Sequence, residues 1–239
     1  MSGNRRSFEI PSGGAGGRIV AIPVRTPLIS AGDDLAAVVA HCVKGIAGLG
    51  DVVCVSETAL AIAQGRSIPA EAIRPGRLAR ILADRTGSYA TVNQPESMQL
   101  VIENAGALRV LAAAAVAAAG RLVGRRGDFY RMLGPVVAEI DGYTGTMPPY
   151  ERHIVFGPKD PDETAAAIAI ACGVEVAIVD ANDLKKVEVL GSSARVDRDF
   201  VRVCLCDNPH GNSDEQTPIV VLKYRPINGS RQPNPLLSR

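Results

Sequence analysis

The chain has 239 residues, with 26 Lys and Arg against 25 Asp and Glu, a net charge of +1, and 46% hydrophobic residues. That length can bury a sizeable core, as one large domain or two intimate ones. The near-zero charge gives no electrostatic case for nucleic acid or an anionic membrane, and without Trp and with 4% aromatic residues no stacking platform for single strands is expected.

Residues 1–17, MSGNRRSFEIPSGGAGG, are polar and Gly-rich and read as a flexible leader with no signal peptide. RIVAIPV (18–24) reads as a first strand broken by Pro23. In GDDLAAVVAHCVKGI, Leu35, Val38, Val39, Cys42 and Ile46 share one face at helical spacing. After a Gly-rich turn, VVCVS (52–56) is a short buried strand. IRPGRLARILADRTG and QPESMQLVIENAG each carry Pro near the start and Gly near the end, the usual helix punctuation.

ALRVLAAAAVAAAGRLVG (107–124) imitates a membrane span, yet Ala is barely hydrophobic and the segment holds Arg109 and Arg121. About 20 strongly apolar residues are needed to span a bilayer, so a tightly packed soluble helix is the reading. PKDPDETAAAIAIACG is a helix with Asp160 as N-cap, Pro161 at the first position, Glu163 closing a capping box and Gly173 ending it. VEVAIVD follows as a strand, and VCLC and PIVVLKY as late strands. PINGSRQPNPLLSR, from residue 226 on, reads as a flexible tail. Strands mixed with helices imply an α/β or α+β fold with mixed sheets.

The five cysteines show no CxxC pair and read as reduced, mostly buried thiols of a cytoplasmic protein. The three histidines form no triad. His210 alone lies near a candidate site, and a satisfied surface histidine is the plainer reading. No P-loop or dinucleotide glycine fingerprint is present.

Three acidic segments stand out. VAIVDANDL (176–184) runs an apolar strand into Asp180, Asn182 and Asp183, all oxygen ligands that suit Mg²⁺. EIDGYTG (139–145) places Asp141 after an apolar run, and NPHGNSDEQTP (208–218) places Asp214 and Glu215 before a strand. Each pattern also fits a turn or solvated loop, and spacing alone does not show that the three converge. On the cationic side, AQGRS (63–67) offers Gly65 for close backbone approach and Arg66 for charge. GRRGDFYR (124–131) offers Arg125, Arg126 and Arg131, whose forks fit phosphate or carboxylate unless the segment is a solvated helix end.

Taken in order, PLISAGDDL (27–35), GDVVCVSETALAIAQGR (50–66), EIDG (139–142), PPY (148–150), GPKDPD (157–162), VAIVDANDL and DNPHGNSDEQTPI (207–219) resemble the coenzyme F-420:L-glutamate ligase (gamma-glutamyl ligase) family, as a divergent branch. The resemblance covers residues 18–225, a ligase-like domain that divides into two intimate subdomains in one version of this reading. It implies a gamma-glutamyl-ligase-like fold and an intertwined homodimer. It implies GTP- or ATP-dependent activation of a carboxylate as acyl phosphate, followed by attack of an amino-acid amine. Mg²⁺ or Mn²⁺ would be held by Asp141 and Asp180, with Glu215 or Asp214 as a later ligand. Gly32, Asp33, Asp34, Ser56, Gly65 and Arg66 match nucleotide-contacting blocks. Small-molecule substrates, with neither nucleic acid nor membrane, complete the expectation.

Departures from the family pattern lie in the phosphate clamp. Ile62 stands where the family has Lys, Gln64 where it has Glu, and Ala181 where it has Thr. The alternative that follows is a non-catalytic nucleotide-binding or regulatory homologue that keeps the fold.

Overall fold

A computed structural model describes residues 8–11, 17–86, 91–138, 140–142, 148–182, 185–211, 215–226 and 234–237. The chain forms two compact units: Met1–Gly65 with Pro158–Arg239, and Arg66–Gly157. The first unit opens with β1 (Phe8–Pro11), β2 (Gly17–Val24), α1 (Leu35–Val43), β3 (Val52–Ser56) and α2 (Glu57–Ala63). The second holds β4 (Ser67–Pro69), α3 (Arg77–Ala83), α4 (Pro95–Ala105), α5 (Ala107–Leu122), α6 (Asp128–Leu133), α7 (Pro135–Ala138), β5 (Ile140–Asp141) and β6 (His153–Phe156). The first then resumes with α8 (Pro161–Cys172), β7 (Glu175–Ala181), β8 (Val187–Ser192), α9 (Arg198–Cys204) and β9 (Ile219–Pro226). This is the mixed α/β architecture that the sequence implies.

The first unit is built on a six-stranded sheet in the order β1-β2-β9-β3-β7-β8. Only β3 and β7 pair in parallel; every other neighbour is antiparallel. Strand alternation sends Ile19, Ala21, Val52, Cys54, Ala177, Val179, Val220 and Leu222 into one core with Val201, Cys204 and Leu205. The next residues along the strands, Val53, Val55, Ile178 and Val221, are fully buried too. A central strand covered on both faces reads as an unbroken apolar run, which is why VVCVS and VAIV were legible. Gly191 fixes α8 against β8: a Cβ there would stand 2.3 Å from the Pro161 carbonyl carbon and 2.5 Å from the Asp162 nitrogen.

Several expectations are corrected here. Phe8–Pro11, within the expected leader, pairs with β2 as an edge strand, Phe8 opposite Ala21 and Pro11 opposite Arg18. Part of the expected tail is also anchored. Leu236 is fully buried, Val196 bridges Leu237, and Asn234 Nδ2 donates to Gly50 O at 2.6 Å. Two adjacent leucines in a short polar segment produce no periodicity, so the sequence gives no sign of it. Pro23 does not break β2, because it lies past Ala21, the last β1-paired residue among the described residues, and interrupts no described ladder bond on that flank. VCLC is not a strand. Asp197 caps α9 by accepting from Phe200 N at 2.9 Å, and Val201, Cys204 and Leu205 are buried at helical spacing. Asp160 sits at the expected N-cap of α8, but its left-handed conformation (φ +47°) leaves its carboxylate without a cap bond.

The second unit carries a three-stranded antiparallel sheet, β4-β6-β5, and a core including Ala79, Met98, Val101, Val110, Leu133, Ile140 and Ile154. Contrary to the expected tight packing, α5 buries only Val110, Ala113 and Gly120, and exposes Leu108, Leu111 and Leu122. Among the described residues no single helix is long and apolar enough to cross a membrane. The five cysteines are free; Cys54 and Cys204 are buried, the other three partly so. Burial raises the Cys54 thiol well above its ordinary value, and pushes Cys204 up to about 12, so both are inert.

Candidate functional site

β2, β3 and β7 run in the same direction, so their carboxyl ends share one edge of the six-stranded sheet, together with the start of β9. Ligands of open α/β sheets bind beyond such an edge. Val24 and Val55 both pair with Ile219, and Ser56 pairs with Val179, one residue before Asp180. The segment ahead of β9 is tied down there. Thr26 N donates to Gln216 O (3.1 Å), Gln216 Nε2 to Thr26 O (2.8 Å), and Ser56 N to Pro218 O (2.8 Å). Ser56 is the N-cap residue of α2, and its hydroxyl makes no cap bond.

The loop before α1 is drawn to the end of α2. Gly32 N donates to Ala63 O at 2.8 Å, and a Cβ on Gly65 would stand 3.8 Å from Ala31 Cβ. Gly32 (φ +89°) and Gly65 (φ +70°) both need the left-handed backbone that glycine supplies. The Gly65 N–H is also taken, by Ile62 O at 2.8 Å, so the two glycines offer room for a ligand rather than donors. Asp33 Oδ2 accepts from Ser30 N (2.7 Å), and Asp34 Oδ1 caps α1 through Ala37 N (3.1 Å). The structure thus gathers Gly32, Asp33, Asp34 and Gly65, and gives both carboxylates a loop-shaping task.

Gln64 and Ile62 clarify the altered clamp. Ile62 is buried, so its position is part of the core. Gln64 clips the following loop with both ends of its amide: Nε2 donates to Lys159 O and Oε1 accepts from Lys159 N, each at 2.8 Å. A lysine backbone is therefore anchored beside Gly65. The two residues are 95 positions apart, so sequence spacing held no sign of it.

Asp180 lies one residue before the end of the β7 ladder, directly opposite Glu188 of β8. Burial raises its carboxyl above the ordinary value, the Glu188 charge raises it further, and Lys186 opposes both. Two carboxylates in a cross-strand pair have Cβ atoms about 5 Å apart and repel one another until a cation intervenes. Among the described residues no three His, Cys, Asp or Glu side chains cluster as a protein-only metal cage. Mg²⁺ commonly takes one or two carboxylates, with waters and substrate phosphates completing its shell, and the Asp180–Glu188 pair has the chemistry for that. Glu188 was not singled out from sequence, because its place opposite Asp180 depends on a register shift at Ile178/Val179.

The Glu215 carboxylate packs on Gly211, where a Cβ would come 2.8 Å from its Cδ. Asp183 and Asp214 lie outside the described residues. His210, expected at the surface, is buried. Its Nδ1 faces Thr217 O at 3.2 Å, and its Nε2 has no partner among the described residues. Desolvation lowers its pKa to about 4, so it is neutral near pH 7; Nδ1–H then donates to Thr217 O and the Nε2 lone pair is bare.

The second unit holds the other two candidates. Asp141 is on β5, opposite Val155. Arg66 is committed within its own sheet region, with Nε donating to Gly157 O at 2.6 Å and its guanidinium 5.7 Å from the centre of the Phe156 ring.

A search of curated proteins returns no match to this chain. The family model of the F420-0:gamma-glutamyl ligases matches residues 23–185, which include the loop before α1, the β3–α2 turn, Asp141 and Asp180. That match spans more than half of the chain, and the chain belongs to the F420-0:gamma-glutamyl ligase family.

Proposed function

We propose that the protein is a nucleotide- and divalent-metal-dependent ligase that joins a small-molecule carboxylate to an amino acid, with L-glutamate and a coenzyme F-420 precursor as the first pair to test. The observation that carries this reading is Asp180 facing Glu188 at the carboxyl end of β7, two carboxylates whose mutual repulsion a divalent cation would relieve. In the reaction a substrate carboxylate oxygen attacks the γ-phosphorus of GTP or ATP, and the bond to the β–γ bridging oxygen breaks. The amine then attacks the acyl carbon, loses a proton, and inorganic phosphate leaves. Asp180 and Glu188 would hold Mg²⁺ or Mn²⁺, which supplies neutralisation of phosphate charge. Gly32 and Gly65 leave space for the nucleotide, and Ser56 ends β3 at the same edge of the sheet. Lys159, held beside Gly65 by Gln64, provides the charge that Ile62 cannot. The family resemblance also assigns Asp141 to the metal and Arg66 to the nucleotide.

A second reading has its own observation. Ile62 is buried and apolar where the family carries a lysine, and Ala181 lacks the family's hydroxyl, as in a homologue that binds nucleotide without turnover. Release of inorganic phosphate from GTP and ATP, with Mn²⁺, glutamate and a panel of small acids, separates the two. Acid-dependent phosphate release supports the ligase. Tight binding with no release supports the binder.

A homodimer is part of the proposal. Leu108, Leu111, Ala115, Ala118 and Leu122 repeat at heptad spacing on the exposed side of α5. The stripe is nearly symmetric about Ala115, with a leucine seven residues away on each side, which suits self-pairing across a two-fold axis. Leu111→Lys should shift the protein toward monomer in sedimentation velocity; an unchanged dimer would remove α5 from the interface. A cytoplasmic location accords with five free cysteines.

A further inference from the structure

The end of α5 and the start of α6 flank an open pocket of about 570 Å³, lined by Arg121, Arg125, Arg126, Phe129, Tyr130 and small residues including Ala117. The size suits a small organic ligand. Residues 121–131, RLVGRRGDFYR, bring four arginines against one carboxylate, Asp128.

Asp128 organises the group. It is buried, and accepts from Arg125 Nη2 at 3.1 Å and from Arg131 Nη2 at 2.5 Å. Its buried position needs Gly120, since a Cβ there would come within 2.1 Å of Asp128 Oδ2. One carboxylate answers one of the four guanidinium charges and leaves three uncompensated within the segment. Among the described residues Arg121 reaches only a backbone carbonyl, Arg85 O, at 3.2 Å. Arg126 makes no side-chain hydrogen bond among the described residues, although its own carbonyl accepts from Arg131. Two of the carbonyls at the end of α5, which would repel an anion, are covered. Gly120 O accepts from Val123 N and Arg125 N, and Arg121 O from Gly124 N. Beside this charge stand Phe129 and Tyr130, edge to face at 5.8 Å.

Forked guanidiniums fit the oxygens of a phosphate, and aromatic and guanidinium planes stack on flat rings. We propose that Arg121, Arg125 and Arg126 with Phe129 and Tyr130 form a binding site for a phosphomonoester that carries a flat aromatic ring. The site lies wholly within the second unit and does not depend on the ligase reading.

Riboflavin 5′-phosphate is the probe, titrated by fluorescence against the full chain, with riboflavin and inorganic phosphate as separate arms. The expected result is saturable binding of riboflavin 5′-phosphate that weakens with added salt, at least ~10-fold weaker binding of riboflavin, and competition by phosphate. Arg126→Ala should weaken the phosphorylated ligand by ~10-fold or more without changing Tm, because its side chain bonds nothing that holds the fold. Tyr130→Ala should weaken both flavins. Equal affinity for riboflavin and its phosphate, no binding at all, or an unaffected Arg126→Ala variant would overturn the proposal. GTP titrated in parallel keeps the outcomes separate: loss of GTP binding with the flavin phosphate retained counts against the ligase reading alone.

Discussion

Asp180 and Glu188 face each other across the β7–β8 ladder, and burial together with that facing charge raises the Asp180 carboxyl above its ordinary range. An acid whose folded pKa is raised binds more protons folded than unfolded. Its ionisation therefore costs stability as pH rises through the raised value, and the cost is complete above it. Asp180→Asn should accordingly be as stable as the parent at acid pH and more stable at neutral pH, by about 0.5 kcal/mol. That corresponds to a Tm gain of roughly 1–2 °C. Mn²⁺ should raise the Tm of the parent and not that of the variant. Thermal melts at pH 4 and pH 7.5 test this, and a variant that is less stable at neutral pH would show that Asp180 serves the fold.

Lys159 supplies the second prediction. Its backbone is gripped by Gln64, and no hydrogen bond involves its ammonium group among the described residues. Lys159→Ala should weaken nucleotide binding by ~10-fold, the loss of one charge-assisted contact, and leave Tm within ~1 °C. Gln64→Ala should weaken it similarly by releasing the loop. If equilibrium dialysis gives unchanged affinity in both variants, the clamp lies elsewhere.

His210 makes the protein acid-sensitive. Its pKa is depressed from 6.5 to about 4 by desolvation, so the unfolded chain takes up a proton that the folded chain refuses. The stability it contributes is full above about pH 6.5 and is lost progressively toward pH 4, on the order of 3 kcal/mol in all. His210→Gln should flatten that limb in urea melts between pH 4 and 7. An unchanged slope would assign the acid sensitivity to other groups.

Gly191 tests the seat of α8. Replacing a strand glycine with Ala usually helps, but here the new Cβ would strike backbone at 2.3 Å. Gly191→Ala should cost about 3 kcal/mol, at the upper end for overpacking. It should also disturb Ser192, whose N–H donates to Asp162 Oδ1 at 2.8 Å and whose hydroxyl accepts from Arg198 Nε at 2.9 Å. A variant with unchanged Tm would contradict this tight packing.

What could be read in the sequence was local. Pro161 and Gly173 punctuate α8, and the structure bounds the helix by those residues. The apolar runs of β3 and β7 follow from burial on both faces. α9 was misread because VCLC alternates apolar residues too briefly to separate period 2 from period 3.6, although Asp197 offered a capping signal. The site's own relations were out of reach. Glu188 meets Asp180 through a bulge, Lys159 meets Gln64 across 95 residues, and Asp33 and Asp34, which the resemblance matches to a nucleotide-contacting block, also hold their own loop.

The most direct test is a calorimetric titration of the parent chain and Asp180→Asn with GTP and with ATP, with and without Mn²⁺. The account predicts micromolar binding of one nucleotide by the parent, dependent on Mn²⁺, and loss of that metal dependence in the variant. Binding that is indifferent to Mn²⁺, or equally metal-dependent in Asp180→Asn, would contradict a metal held at Asp180.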